Sequence, residues 1–442
     1  MYTKIPLSKQ HKLQTFINSI RPLFNKELVM GLYFLLFILG MDISSDHHSY
    51  NQFRMLQISL LLILGIGTWC YKTFYVKKLE LLFFIFIAIG SFFWQQPVFI
   101  LMNVLLVYLL YKSFYFLNYQ RLLSKLIVLL SLLVFILLPV AVWNYIDTGN
   151  YSPIWYPLPW NMRVYDSYFL IISIFAVWFL LTEKHYRSLY LLFLFLAFLA
   201  VLLDGGRSVT VAYTVFIVLV SLFNRNARWQ LVLVYAMSWL AYLVVTYAAN
   251  TDTTSLRIVR DTRSDRYDLW VNAFQCWSQN PIFGCGFYQL NSYPKSAAHP
   301  HNLFIQILTE TGLIGFIFLA IIVFQVAKNI NWNLKKNYFV IAAFLAISID
   351  MSLSGVHIYP VTQIALLWLF VFLLKNQEFS HAHYFNRLEN TGTVVQKYLA
   401  ITIYLTIAIM FFYVFISSTI VIDNQSFISS FPRFWRDGYT LF

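Results

Sequence analysis

The amino-acid sequence predicts an all-α polytopic membrane protein with about 12–13 transmembrane helices and one long polar loop that carries amphipathic helices. Hydrophobic residues make up 60% of the chain and charged residues only 11%, which is too little charge to cover the surface of a soluble protein. Apolar runs of about 20 residues recur along the chain, and this is the length that a helix needs to cross a bilayer. The many Phe and Tyr residues fit the aromatic belts of membrane interfaces.

Thirteen apolar runs are predicted as membrane helices. They are residues 28–43, 55–71, 79–94, 98–117, 126–146, 165–182, 188–203, 208–223, 230–249, 303–327, 338–354, 361–374 and 398–421. The first 26 residues contain no apolar core followed by a small-residue cleavage site, so no cleavable signal peptide is expected. The predicted division is a cytoplasmic N-terminal segment (1–26), transmembrane helices one to nine (27–249), an outer active-site loop (250–302), transmembrane helices ten to thirteen (303–421) and an outer C-terminal tail (422–442).

The distribution of positive charge supports this orientation. Threading the helices alternately from a cytoplasmic N-terminus puts 21 of the 31 Lys and Arg residues on the cytoplasmic side and 10 on the outer side, as the positive-inside rule requires. The net charge of +13 is therefore interpreted as a topology signal, and no nucleic-acid partner is predicted. Five of the ten outer positive charges lie in residues 250–302, where the rule disfavours them and a functional reason is needed.

That loop is by far the longest polar connection, and long connections inside a compact fold are usually functional. Arginines recur every three residues near its start, at Arg257, Arg260 and Arg263, with aspartates between them. Residues 265–277 place apolar side chains on one stripe, which predicts an amphipathic helix at the membrane surface. The stripe consists of Leu269, Ala273, Cys276 and Trp277.

The polar residue types here point to chemistry on a phosphate-containing substrate. Arginine carries a planar fork that pairs with phosphate oxygens, and Arg207 follows a predicted turn on the same side of the membrane. His301 precedes the next membrane helix and can accept a proton near neutral pH. Together these groups predict glycosyl transfer from a lipid-linked pyrophosphate donor, because the leaving group needs charge stabilisation and the acceptor must lose a proton. The candidate substrate-binding residues are Arg257, Arg260, Arg263, Asn302 and Glu310.

Each residue also has a plainer interpretation. The three loop arginines can pair with the aspartates between them or with anionic lipid headgroups, and Arg207 can simply end a helix. His301 can cap the next helix or pair with Glu310. His357 is expected in an interfacial loop, and five other histidines are expected to be solvated: His47, His48, His299, His381 and His383. No carboxylate or cysteine completes a usual ligand set beside the loop histidines, so no metal and no cofactor is predicted.

Cys276 and Cys285 both lie in the loop. They can form a disulfide if the loop faces an oxidising compartment, or they can be two unpaired thiols. The sequence leaves both alternatives open.

Three stretches resemble the bacterial O-antigen ligase superfamily. Residues 301–315 (HNLFIQILTETGLIG) resemble its "H-N, then E-x-G-x-x-G" start of a transmembrane helix. Residues 266–286 resemble its "R-x-x-x-W … P-x-x-G-x-G" stretch. Arg207, after Asp204-Gly205-Gly206, resembles the arginine at the end of an earlier helix. The strong likeness covers roughly residues 200–320.

This resemblance implies a metal-independent, inverting glycosyltransferase in the bacterial inner (cytoplasmic) membrane. It would take a glycan from undecaprenyl pyrophosphate at the periplasmic face, so the loop and the tail would be periplasmic. By the same resemblance Arg207 and Arg266 bind the pyrophosphate, and His301 activates the acceptor or assists the transition state. Arg257, Arg260 and Arg263 match no motif of the superfamily and rest on the charge of the loop alone.

The superfamily contains at least three activities, which share a donor and differ in acceptor. O-antigen ligase acting on lipid A–core is the predicted activity, protein (pilin) O-oligosaccharyltransferase is the alternative, and O-antigen polymerase is the second alternative. An outer tail rich in aromatic residues can help hold a protein acceptor; these residues are Phe427, Phe431, Phe434, Trp435 and Tyr439. A glycolipid transporter is less favoured, because only Asp350 and Glu310 lie inside predicted membrane helices, whereas transporters place charges near the bilayer midplane.

Overall fold

The computed structural model describes residues 49–69, 76, 78–94, 97–116, 120–153, 155–156, 162–249, 266–293, 299–376, 394–419 and 433–434. The α-helices within these ranges are α1 (Ser49–Trp69), α2 (Lys78–Gly90), α3 (Pro97–Phe116), α4 (Gln120–Ser131), α5 (Leu138–Thr148), α6 (Met162–Thr182), α7 (Arg187–Asp204), α8 (Arg207–Phe223), α9 (Arg228–Ala248), α10 (Arg266–Gln279), α11 (Leu303–Asn329), α12 (Leu334–Leu353), α13 (Pro360–Asn376) and α14 (Val394–Thr419). No β-strand occurs among the described residues, which confirms the all-α prediction.

The observed helices follow the predicted apolar runs closely. Every run from residue 55 onward corresponds to a helix, and α10 is the predicted amphipathic helix, with Leu269, Ala273 and Cys276 buried. The run at 126–146 is divided, because a 3₁₀ segment (Leu132–Leu137) joins α4 to α5. The predicted helix at 28–43 lies outside the described residues.

The helices have the length and composition of a membrane bundle. Within the described ranges, seven are long and apolar enough to cross a bilayer, and three shorter apolar helices accompany them. Large apolar side chains are exposed on their outward faces, such as Leu240 and Val244 on α9 and Phe324 on α11. A bilayer solvates such faces, so the chain is a multi-pass membrane protein.

Helix α6 lies at the centre of the bundle. Nearly all its side chains are buried, and it packs against α4, α7, α8 and α13. A helix that is apolar on every side is suited to this place. Arg163 and Asp166 stand in its first turns, so the central helix carries polar groups to one end of the bundle.

Helix α11 is interrupted at Gly312, whose φ of 67° and ψ of −166° are not helical. The segment 281–286 fills the interruption with backbone hydrogen bonds. The N–H groups of Cys285 and Gly286 donate to the carbonyls of Thr309 (2.8 Å) and Glu310 (3.0 Å). On the other side of the break, Leu313 N–H donates to Pro281 O (2.9 Å) and Ile314 N–H to Ile282 O (3.4 Å). Backbone groups freed by a break inside a membrane helix need such partners.

Two glycines make this close approach possible. Gly284 (φ 75°) and Gly312 (φ 67°) both adopt the left-handed conformation. A Cβ on Gly284 would lie 2.6 Å from Thr309 O, and one on Gly312 would lie 2.6 Å from Gly284 N and closer still to the Ile282 carbonyl. Only residues without a Cβ fit here, which gives a physical reason for glycine in both the "P-x-x-G-x-G" and the "E-x-G-x-x-G" stretches.

Helix α10 is fastened to the same structure. A disulfide joins Cys276 of α10 to Cys285, so the first of the two alternatives for these cysteines is the observed one. Trp270 Nε1 donates to Pro300 O (3.0 Å), next to His301. The disulfide and this hydrogen bond hold the helix that begins at Arg266 against the start of α11.

Candidate active site

His301 lies in the short connection that leads into α11. Its φ of 53° places a non-glycine residue in the left-handed region, a costly conformation that often marks a functional position. The side chain is half-buried. Burial lowers the pKa of His301 to about 4, and the positive charges of Arg266 and Arg163 lower it as well. At neutral pH the imidazole is therefore uncharged and able to accept a proton.

Three arginines act in this region, each from the first turn of a different helix: Arg163 (α6) and Arg266 (α10) act on His301, and Arg207 (α8) acts on Arg266. Burial lowers the pKa of Arg266, and the positive charges of Arg163 and Arg207 lower it further, while Asp350 of α12 opposes them. Charge–charge effects fade over about 10 Å at moderate salt. The three guanidinium groups and His301 thus share one end of the bundle. Arg163 is paired there with Asp166 (3.6 Å), and the arginine-rich cluster is suited to an anionic ligand.

The turn between α7 and α8 sets the position of Arg207. As predicted, Asp204–Gly206 breaks the two helices, with Gly205 in the left-handed conformation (φ 68°). Arg163 Nη1 donates to Gly205 O (2.7 Å), and the Tyr156 hydroxyl donates to the Asp204 carboxylate. A Cβ on Gly206 would lie 2.6 Å from Asp166 Oδ2. The central helix α6 therefore holds the turn that presents the exposed Arg207 side chain.

Two further histidines lie beside His301. His299 is only 3% exposed, so the expectation that it is solvated is wrong. Its ring centroid lies 4.3 Å from that of His301. His357 Nε2 is 2.8 Å from Gln306 Oε1. Burial lowers the pKa of His299 well below its usual value and that of His357 to about 3, so both are neutral at physiological pH.

Asn302 and Glu310 occupy structural positions next to the cluster. Asn302 caps α11, because its Oδ1 accepts from Ile305 N–H (3.0 Å) and its amide donates to Ser352 O (2.9 Å). Glu310 pairs with Arg433 of the C-terminal tail through two 2.6 Å contacts. The contacts of both residues are thus with other parts of the protein, and a direct contact with substrate stays a prediction.

Arg433 and Phe434 of the tail are packed inside the bundle. Phe434 is completely buried, so this side chain offers no surface to a protein acceptor. Its carbonyl accepts from Arg54 Nε (3.0 Å). Arg54 itself is fully buried in α1, a helix that begins before the predicted start at residue 55. The other four tail aromatics lie outside the described residues.

Several predicted residues cannot be placed and several others were missed. Arg257, Arg260 and Arg263 lie outside the described residues, as do His47, His48, His381 and His383. The sequence-based site lacked Arg163, His299 and Arg433. Arg163 could have been found from the sequence, because it is an arginine on the outer side directly before an apolar run. Nothing in the sequence links Arg433 to Glu310.

The described residues contain no group of three or more His, Cys, Asp or Glu side chains arranged to hold a metal ion. The rings of the two histidines of the connection, His299 and His301, meet edge to face. What the cluster offers to a substrate is three guanidinium groups and one neutral imidazole.

Comparison with known sequences adds an independent observation. Residues 192–320 match the family model described as O-Antigen ligase. The matched stretch contains Arg207, Arg266, His301 and the interlocked glycines of α11. No curated protein matches the chain. Residues 192–320 are thus similar to the O-antigen ligase family, and the membrane helices agree with that likeness.

Proposed function

We propose that the protein transfers a glycan from undecaprenyl pyrophosphate to lipid A–core at the periplasmic face of the bacterial inner membrane, as an O-antigen ligase. The observation that carries this proposal is the neutral His301 within electrostatic range of Arg163 and Arg266, with Arg207 acting on Arg266 in turn. Glycosyl transfer from a pyrophosphate ester requires that the charge on the leaving group be neutralised and that the acceptor hydroxyl lose its proton. The cluster supplies both kinds of group.

In this mechanism the acceptor hydroxyl attacks the anomeric carbon of the donor sugar from the face opposite the pyrophosphate. The new glycosidic C–O bond forms as the bond from the anomeric carbon to the pyrophosphate oxygen breaks, which inverts the configuration. His301 takes the hydroxyl proton and later returns it to solvent. Arg207 and Arg266 neutralise the charge that develops on the departing undecaprenyl pyrophosphate, and Arg163 adds to the same field.

The disulfide supports a periplasmic location for this chemistry. Disulfides persist in oxidising compartments such as the periplasm and are rare in the cytosol. Cys276 and Cys285 lie between Arg266 and His301 in the chain, on the side that the distribution of Lys and Arg assigns to the outside. Two independent features therefore support the same orientation.

Protein O-glycosylation and glycan polymerisation use the same donor and remain the alternatives. Phe434 no longer supports a protein acceptor, because it is buried. Transport is less favoured, because Glu310 is neutralised by Arg433 and because charge concentrates at one end of the bundle.

A strain lacking the gene distinguishes the acceptors. Lipopolysaccharide is compared on a gel, and the intact mass of the major pilin is measured. Loss of the O-antigen ladder with unchanged pilin mass is the expected result. A pilin lighter by one glycan would instead identify a protein O-oligosaccharyltransferase, core with a single repeat would identify a polymerase, and no change in either would favour transport.

Complementation of that strain with variants tests the site. His301→Ala is expected to insert into the membrane and to abolish transfer; wild-type transfer by this variant would contradict the proposal. At Arg207 and Arg266, substitution by Ala is expected to impair use of the donor more than substitution by Lys. Equal activity of the Ala and Lys variants would remove the argument from bidentate phosphate binding.

A further inference from the structure

The C-terminal tail is bonded to three parts of the bundle through two consecutive residues. Tyr50 of α1 donates its hydroxyl to Arg433 O (2.5 Å), and Arg54 donates to Phe434 O. The guanidinium of Arg433 lies over the ring of Phe287 (4.1 Å to the centroid), in the segment between α10 and α11. It also forms the bidentate pair with Glu310 of α11.

This ion pair is deeply buried, since both side chains are 4% exposed. Burial opposes the charge of Arg433, but the charge of Glu310 outweighs it and raises the pKa of the arginine. A buried pair of this kind is strongly weakened when one partner is removed, because the remaining charge has no counterion. The tail therefore supplies the counterion that a glutamate inside α11 requires.

A line of hydrogen bonds leads from this pair toward the histidines. Gln306 Nε2 donates to both oxygens of Glu310 (3.1 and 3.2 Å). The other atom of that amide, Gln306 Oε1, contacts His357 Nε2 (2.8 Å). Gln306 lies one turn after Asn302, the cap that directly follows His301. Through Glu310 and Gln306, Arg433 of the tail thus holds the first two turns of α11 in place.

We propose that Arg433 is a positioning residue for glycan transfer: by pairing with Glu310 it fixes the start of α11, and hence His301, and balances the charge beside the histidines. This inference rests on the proposed function of His301 as the base. It assigns the tail a role inside the enzyme that differs from holding a protein acceptor.

Because Arg433 and Glu310 carry opposite charges, the inference can be tested by the pH dependence of kcat. Arg163 and Arg266 act directly on His301, and the His299 ring contacts it. The charged and titratable groups next to these are Asp166, paired with Arg163, Arg207 and Asp350 near Arg266, and His357 and Arg433 near His299. Glu310 pairs with Arg433. Arg433 already contributes to lowering the pKa of His299 and His357. Removing its positive charge leaves the negative Glu310, which favours protonated imidazole, and removing the charge of Glu310 has the opposite effect.

The test uses purified full-length enzyme in detergent, polyprenyl-pyrophosphate-linked oligosaccharide as donor, and the acceptor identified in the deletion strain. Arg433→Gln is expected to move the acidic limb of the kcat profile to higher pH by about 0.5–1 pH unit, and Glu310→Gln to move it to lower pH by a similar amount. The double variant, which removes both charges, is expected to return the limb to the wild-type position. In Arg433→Gln, kcat should fall at least tenfold while the donor KM stays within about threefold, because the arginine cluster is untouched.

Arg225→Gln is the matched control, because Arg225 is exposed in the turn between α8 and α9 and should leave the limb and kcat unchanged. Arg433→Lys keeps the positive charge, so it should retain part of kcat, and the acidic limb of its kcat profile should stay at the wild-type pH. If Arg433→Gln does not fold, Glu310→Gln and Arg433→Lys still decide the question. Limbs that stay at the wild-type pH, or that move in the same direction in both Gln variants, would overturn the inference. Full activity of His301→Ala would instead overturn the proposed function.

Discussion

Replacing Gly312 with alanine should disable the enzyme by separating the two structures that carry its site. Gly312 has φ 67° and ψ −166°, a region essentially restricted to glycine that costs alanine about 1–3 kcal/mol. Its added Cβ would also collide with the backbone at Ile282 and Gly284. The segment 281–286 would have to withdraw, and four interlocking hydrogen bonds would be lost.

The magnitude follows from these contacts. Each hydrogen bond contributes roughly 0.5–1.5 kcal/mol, so the four bonds and the conformational cost together amount to about 3–9 kcal/mol. Withdrawal of the segment also moves Cys285, to which α10 is tethered. Arg266 at the start of α10 would then lose its position relative to His301, and transfer should fall to background.

Gly149→Ala is the matched control. Gly149 also has a positive φ (69°), but its ψ of 0° lies in the left-handed helical region, and a Cβ there would meet only Ala249 O, at 3.4 Å. It should therefore cost only about 1 kcal/mol and retain transfer. The assays are thermal unfolding in detergent and O-antigen ladder formation in the complemented deletion strain. Equal stability and equal transfer for Gly312→Ala and Gly149→Ala would refute the reasoning.

Three further predictions concern the disulfide, the third arginine and the titration of the base. Replacing both Cys276 and Cys285 by Ser should lower the free energy of unfolding by about 2–3 kcal/mol, because the disulfide no longer closes a short loop. In the wild-type protein these cysteines should react with maleimide only after reduction, and labelling before reduction would contradict the prediction. Arg163→Ala should raise the donor KM roughly tenfold to a hundredfold, since a charged contact is worth about 1.5–3 kcal/mol, whereas Arg187→Ala at the opposite end of the bundle should not. In the free enzyme the pKa of His301 is about 4, so kcat/KM should hold its value from pH 7 down to about pH 5 and fall below it. The acidic limb of kcat should lie at higher pH, because bound anionic pyrophosphate stabilises the imidazolium, and a kcat/KM limb near pH 6.5 would contradict the assignment.

The sequence is sufficient to predict the architecture, because the bilayer requires each apolar segment to form a helix on its own. Apolar runs of spanning length are sufficient to place the membrane helices, and the stripe of Leu269, Ala273 and Cys276 is sufficient to predict α10. The glycine and histidine motifs in residues 266–315 likewise single out a candidate site, because their spacing along the chain is short.

What the sequence could not provide is contact between groups far apart in the chain. Arg163 joins Arg207 and Arg266 only because α6, α8 and α10 begin at the same end of the bundle. The role of the two glycine stretches becomes clear only when residues 281–286 are seen inside the break of α11.

The tail illustrates the same limit. By composition, residues 422–442 are an aromatic, solvent-side segment, and composition says nothing of a partner that lies 123 residues away along the chain. The apolar pattern was enough to predict the class of fold, and the motifs singled out the loop, His301, Arg207 and Arg266 as candidates for the site. The burial of His299, the disulfide between Cys276 and Cys285 and the pairing of Glu310 with Arg433 became visible only in three dimensions. Burial and pairing depend on which helix ends meet in space, whereas helix formation in a membrane depends on each segment alone.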